Sequence, residues 1–329
     1  MIPLQSLLSH TLRTACAVGL ALCAAAPALA QDYPNKPVRL VVPAFVGTPI
    51  DIISRQVATR LTQELGQPVV VDNKPGGTGI VGASDVLRQP ADGYTLMTLY
   101  MPMTVSQSVN RQVTFDLRRD FVPIVQTVFS YNVLVVPPSV PVNTPAELVA
   151  LLKSKPGQLN FASGGVTSPA HLAGELLTLQ TGTRALHVPY NNFPQAIGDL
   201  LAGRIEFMFA ATPPVVGHIA AGRLRPLAVT GDRRLPVLKD VPTMVESGFP
   251  DFVVRDWQGF MVRAGTPPAV VERINAAVRR IVANPEAIEG LAKLGAVPSA
   301  GTAAEFGKLV ASEVESWARV VKAANISME

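Results

Sequence analysis

Sulfur chemistry is nearly missing from this chain. Its 329 residues include 2 cysteines, Cys16 and Cys23, both within the first thirty positions. The remainder carries no thiol, which excludes a disulfide framework, a thiolate nucleophile and a cysteine-held metal there. Charge is also sparse: Asp, Glu, Lys and Arg make up 16% of the chain, against a typical ~25%. The 28 Lys and Arg occur singly or as isolated pairs such as Arg118-Arg119, Arg233-Arg234 and Arg279-Arg280, and the net charge is +4. With aromatics at 6%, no basic stripe interleaved with aromatics forms, so nucleic acid is set aside as a partner. The histidines beyond the first thirty residues, His171, His187 and His218, match no metal-ligand spacing. No run of 18 apolar residues follows that opening segment either, so nothing later reads as a membrane span. What the chain does have is apolar residues, 48% of the total, enough for the cores of two ordinary domains.

Part of that excess sits at the start. His10 and Arg13 precede an Ala/Leu/Val run from Ala15 to Ala26, followed by Pro27-Ala28-Leu29-Ala30. This order describes a secretory signal peptide cleaved after Ala30. The run is too short to span a bilayer, and Pro27 ends it. Leu22 stands where a lipid-modified Cys23 would need a small residue, so an exported protein without a lipid anchor is expected.

Strands and helices then alternate. Val38 to Val42 reads as a buried strand, and Asp51 to Leu65 as a helix with Ile53, Val57, Leu61 and Leu65 on one face. Val69 to Val71 is a strand, Thr78 to Arg88 a helix and Tyr94 to Leu99 a strand. Further strand-like runs are Gln158–Phe161, Ala185–Val188, Ile205–Phe209 and Pro226–Val229. Helix starts are marked by a capping side chain followed by proline: Thr144-Pro145, Ser168-Pro169, Thr212-Pro213, Thr266-Pro267 and Asn284-Pro285. The pattern predicts an α/β fold with mainly parallel sheets. From Pro267 to Asn325 it predicts three helices and no strand. Long extended segments, Val122–Val136 and Val253–Val262, bracket a central block, which suits two α/β lobes joined by two crossings. The boundaries expected are a signal peptide at 1–30, a first lobe at 31–130 plus 254–329, and a second at 131–253.

Positioned catalytic groups are not evident. Gly77-Thr78-Gly79-Ile80-Val81-Gly82 matches a dinucleotide-binding pattern, yet five residues separate it from its strand and position 102, where an acid is wanted, is proline. It reads as a glycine turn opening a helix packed on a sheet. His171 and Glu175 share a helix face with no third ligand. Ser163 lacks the glycine of a nucleophile elbow. Neither enzyme activity nor a cofactor is expected. Two loops do end directly at helix starts: Pro43 to Ile50 before Asp51, and Ser163 to Ser168 before Pro169. A helix N-terminus presents unpaired N–H groups and about half a positive charge, so it holds a carboxylate without a basic side chain. Facing loops of this kind would grip both ends of a small dianion across a cleft; two merely capped helices would look the same in sequence.

The runs Tyr33 to Pro43 and Leu65 to Gly76 resemble the Bug family, the periplasmic binding components of tripartite tricarboxylate transporters. Asp92 to Leu96, His171 to Leu176, His187 to Tyr190, Leu224 to Gly231, Asp240 to Thr243 and Ala264 to Pro267 follow in the same order. The resemblance implies a periplasmic binding protein type II-like fold, a Venus flytrap of two α/β lobes with a hinge, in the periplasm. It also implies capture of a small organic carboxylate by backbone amides of the two loops. Delivery would be to the membrane permease subunits of a tripartite tricarboxylate transporter or, alternatively, to a sensor kinase. The ligand-binding residues expected are Phe45, Val46, Gly47, Thr48, Asp51, Ser163, Gly164, Gly165, Thr167, Ser168, His171, Tyr190, Asn191 and Ala210. Departures from the family pattern cluster there. Pro49 and Ile50 stand where hydroxyl residues are common, Val166 replaces Asn, and Asn191-Asn192-Phe193-Pro194 replaces Lys-Gly-Ser-Gly. Ala210 replaces Asp. Polar groups give way to apolar bulk, which predicts a ligand with one carboxylate end and a larger apolar body such as an aromatic ring. Tyr190 and Trp257 are candidates to wall the cleft.

Overall fold

Four Val and Leu residues and one Arg, Val38–Val42 (β1), run between two parallel neighbours, Val69–Asn73 (β2) and Thr95–Tyr100 (β3). The near-continuous apolar run suits a parallel strand covered on both faces. This is a computed structural model; it describes residues 33–110, 112–190, 193–324 and 326. The proposed leader, with both cysteines, lies outside the described residues, as does Asn191. Helix α1 (Pro49–Leu65) joins β1 to β2 and buries Ile53, Val57, Leu61 and Leu65, as the spacing predicts. Gly66, left-handed at φ 71°, ends it by donating its N–H to the Thr62 carbonyl. A short 3-10 turn, Gly77–Gly79, then opens α2 (Ile80–Leu87). A Cβ on Gly82 would lie 2.7 Å from Pro43 Cβ, so the glycine pattern serves close helix-on-sheet packing.

The sheet changes character in the middle. After α3 (Met101–Val109) comes β4 (Phe121–Val136), sixteen residues in one strand. Up to Tyr131 it pairs antiparallel with β9 (Arg255–Arg263). From Asn132 onward it pairs antiparallel with β7 (Phe207–Ala211) and β8 (Arg225–Val229). Beyond β7 lie β5 (Asn160–Ser163) and β6 (Leu186–Pro189), parallel to one another and to β7 in series. The sheet order is therefore β2-β1-β3-β9-β4-β7-β5-β6. Parallel pairing is confined to the two outer sections, which corrects the expectation of mainly parallel sheets. Two α/β lobes result, and the long strand β4 belongs to both.

Helices α4 (Pro145–Ser154), α5 (Pro169–Thr181), α6 (Phe193–Leu201) and α7 (Thr212–Ala220) cover the second section. The C-terminal block supplies α8 (Pro268–Ala283), α9 (Pro285–Lys293) and α10 (Ala303–Ala323). It also supplies a two-residue strand, β10 (Val297–Pro298), paired with Val128 and Phe129 of β4. That strand corrects the expectation of an all-helical tail. One apolar cluster runs from Leu99 and Met101 through Leu134 to Phe161 and Phe209, so the lobes share core. Among the described residues no helix is long and apolar enough to cross a membrane.

Candidate functional site

Three helices begin at one cleft. Its volume is about 620 Å³, and Thr48, Pro49 and Ile50 at the start of α1, Ser168, Pro169 and Ala170 at α5, and Ala211, Pro213 and Pro214 at α7 all line it. The floor comes from the two crossing strands. Val128, Ser130 and Asn132 alternate along β4, and Asp256 and Gln258 along β9, with Trp257 between them. Tyr100, Ile53, Tyr190, Phe193 and the Leu294–Ala296 turn complete the walls.

The first loop is braced from behind by a buried carboxylate. Asp51 Oδ2 accepts the Gly47 N–H at 2.9 Å, and Oδ1 accepts from Arg55 Nε at 2.9 Å and Asn73 Nδ2 at 2.9 Å. Burial alone would raise its pKa, but these hydrogen bonds outweigh that and hold it below the usual carboxylate range. Thr48 caps α1 by accepting the Asp51 N–H, and its hydroxyl donates to the Phe45 carbonyl at 2.8 Å.

The second loop hangs on one hydroxyl and two imidazoles. Ser163 Oγ lies 2.6 Å from His187 Nε2 and accepts the Gly165 N–H at 3.1 Å. Ser168 caps α5, accepting the His171 N–H, and donates to the Gly165 carbonyl at 2.7 Å. Thr167, left-handed at φ 69°, donates its N–H to His171 Nδ1 at 3.2 Å. The proton of neutral His171 therefore sits on Nε2, 3.6 Å from Glu175. Burial, then the neighbouring His187 ring 4.0 Å away, pushes His171 down to about 3; burial pushes His187 down to about 4.

Of the residues expected to contact ligand, Thr48, Gly164, Ser168 and Tyr190 line the cleft. Asp51, Ser163, Gly165, Thr167 and His171 stand behind them and shape the loops. Phe45, Val46 and Gly47 form the exposed outer turn of the first loop. Ala210 is fully buried in the second lobe's core, and the next strand residue, Ala211, faces the cleft instead. Neighbouring residues of a strand point to opposite sides, which accounts for the one-residue offset. Trp257 lines the cleft and packs edge-on against Phe306. Sequence reasoning passed over Asp256, Gln258, Asn132 and the Leu294–Ala296 turn. The period-2 pattern of Val128, Ser130 and Asn132 was the available signal for the floor; nothing local marks the turn.

Proline sets the chemistry of this cleft. Pro49 and Pro169 occupy the first turns of α1 and α5, and Pro213 and Pro214 that of α7, each removing an N–H that an anion would otherwise use. With Asp51 and His171 N–H groups given to the caps, Ile50 and Ala170 present the free donors of α1 and α5. The helix dipoles remain. No Lys, Arg or His lines the cleft among the described residues, and no group of three or more His, Cys, Asp or Glu is placed there to hold a metal ion. Helix ends, which favour an anion, stand among proline rings and aromatic side chains in the lining.

A model of the tripartite tricarboxylate transporter family receptor matches residues 53–326. The chain belongs to this receptor family. BugT of Bordetella pertussis is 34% identical over 300 residues, covering 91% of this chain and 92% of its own. Among solved structures, R. palustris Rpa4515 with adipate is 32% identical with a TM-score of 0.76, covering 90% of this chain and 99% of its own. The periplasmic binding protein BugD is 30% identical with a TM-score of 0.73, covering 90% and 100%. The periplasmic binding protein type II-like fold, two α/β lobes with a hinge, is the fold of this receptor. Members of the family bind solutes in the periplasm and are not enzymes, and this chain is one of those receptors.

Proposed function

We propose that this receptor captures a small organic carboxylate with an apolar body and delivers it to the permease of a tripartite tricarboxylate transporter. The observation that carries the reading is the convergence of three helix starts on one largely apolar cleft that no Lys, Arg or His lines among the described residues. A helix end attracts carboxylate, and the proline rings and aromatic side chains of the lining suit an apolar body beside it. Adipate in the Rpa4515 structure is a dicarboxylate with an apolar middle, which supports the carboxylate class. Export by the leader ending at Ala30 places the receptor where such a ligand is met. The lobes proposed are 31–130 plus 254–329 and 131–253, consistent with β4 changing partners after Tyr131.

Thermal unfolding with a panel of citrate, malate, adipate, benzoate and 3-phenylpropanoate tests this. A ligand at 100-fold its dissociation constant stabilises by about 2.7 kcal/mol. The aromatic acids are expected to raise the midpoint more than the di- and tricarboxylates do. Stabilisation by citrate or malate alone would sink the apolar-body reading, and no response to any acid would sink the carboxylate reading itself.

A further inference from the structure

The floor of the cleft carries a negative charge that the helix starts do not explain. Asp256 on β9 lies opposite Ser130 on β4 and lines the cleft. Among the described residues its carboxylate makes no ion pair. The neighbouring Arg255 is engaged with Asp232 at 2.5 Å and lies over the Phe129 ring. Tyr100, opposite Gln258 on β3, donates its hydroxyl to the Pro43 carbonyl, and Asn132 Nδ2 donates to the Phe209 carbonyl at 3.1 Å. Gln258, nine-tenths buried on the same face, has a side-chain Nε2 without an acceptor. Desolvation pushes the Asp256 pKa up to about 6, opposed by the Trp257 N–H. A half-buried carboxylate without a partner is costly, and such groups gather at functional sites.

The cleft is thus dipolar, with positive helix ends on its walls and one uncompensated carboxylate on its floor. A dianion would set its second charge against Asp256, whereas a zwitterion satisfies both ends. We propose that the ligand is an amino acid with an apolar side chain, and that Asp256 selects it by pairing with the ammonium group. This rests on the carboxylate reading above and adds the identity of the ligand's second polar group.

The test is isothermal titration of the purified protein with L-phenylalanine, L-leucine, N-acetyl-L-phenylalanine, 3-phenylpropanoate and adipate. At least one free amino acid is expected to bind tenfold or more tighter than 3-phenylpropanoate, about 1.4 kcal/mol. N-acetylation, which removes the ammonium charge, is expected to abolish that advantage in the unaltered protein. Asp256→Asn is expected to bind the amino acid and its des-amino analogue within threefold of one another. Should Asp256→Asn fail to fold, the N-acetyl comparison decides alone. Tighter binding of 3-phenylpropanoate or adipate than of either amino acid would overturn the proposal and leave the carboxylate reading standing. Retention of the preference by folded Asp256→Asn, or by N-acetylphenylalanine, would also overturn it. If no carboxylate of any kind binds, the carboxylate reading falls with it.

Discussion

The two imidazoles behind the second loop act as neutral hydrogen-bonding groups, and their neutrality has a cost in acid. His171 must keep Nδ1 bare to accept the Thr167 N–H, and His187 Nε2 meets the Ser163 hydroxyl that holds Gly165. With folded-state values of about 3 and about 4, both lie below the ordinary histidine value near 6.5. The unfolded chain therefore binds protons that the folded chain refuses, and stability falls as pH drops from about 6.5 toward 4. Glu175, raised by burial, works in the opposite direction. Replacing one imidazole isolates its share. The stability gap between the protein and a His171→Asn variant is expected to narrow by about 1–2 kcal/mol between pH 7 and pH 5, measured by urea unfolding. A gap independent of pH would show that His171 is not held neutral. At this scale the sequence identified the loop residues but not the direction of each side chain. Ala210 and Ala211 differ only in strand alternation, and Asp51 looks the same in sequence whether it braces a loop or touches a ligand.

At the scale of elements, the cap-and-proline signals located helix starts because their physics is local. Thr144, Ser168 and Asn284 all cap as their spacing predicts. Two others do not: Thr212 ties the α7 start to β4 by donating to the Tyr131 carbonyl, and Thr266 closes a local turn by donating to the Arg263 carbonyl. Helix α3 escaped notice because Met101 to Val109 is rich in Ser and β-branched residues, and Tyr100 before it makes no side-chain cap. Its helicity comes from burial against β3 and α10 rather than from propensity. Packing distance is likewise invisible in sequence. A Cβ on Gly174 would lie 2.2 Å from the Phe161 ring, so α5 rests directly on β5. Gly174→Val is expected to destabilise the fold by about 1–3 kcal/mol and to lower affinity by shifting the α5 start. Unfolding midpoints and titrations unchanged from the parent would contradict this.

For the whole molecule, the lobes meet at the cleft mouth as well as through β4. Gly295, left-handed at φ 68° in the turn between α9 and β10, sits so close to Pro213 of α7 that a Cβ would fall 1.9 Å from its ring. Gly295→Val is expected to hold the C-terminal block and the second lobe apart and to weaken ligand binding about tenfold or more. A ligand-induced rise in melting temperature equal to that of the parent would show that this contact does not limit closure. The turn was not legible as part of the site, because it is brought to the cleft by tertiary packing about 80 residues after the helix start it touches.

The prolines at the helix starts have a calorimetric consequence. With so few direct donors left to a bound anion, much of the free energy of capture must come from removing ring and side-chain surface from water. Such binding carries a negative heat-capacity change. Titrations between 10 and 35 °C are expected to give an association enthalpy that grows steadily more exothermic, and a temperature-independent enthalpy would count against the apolar walls.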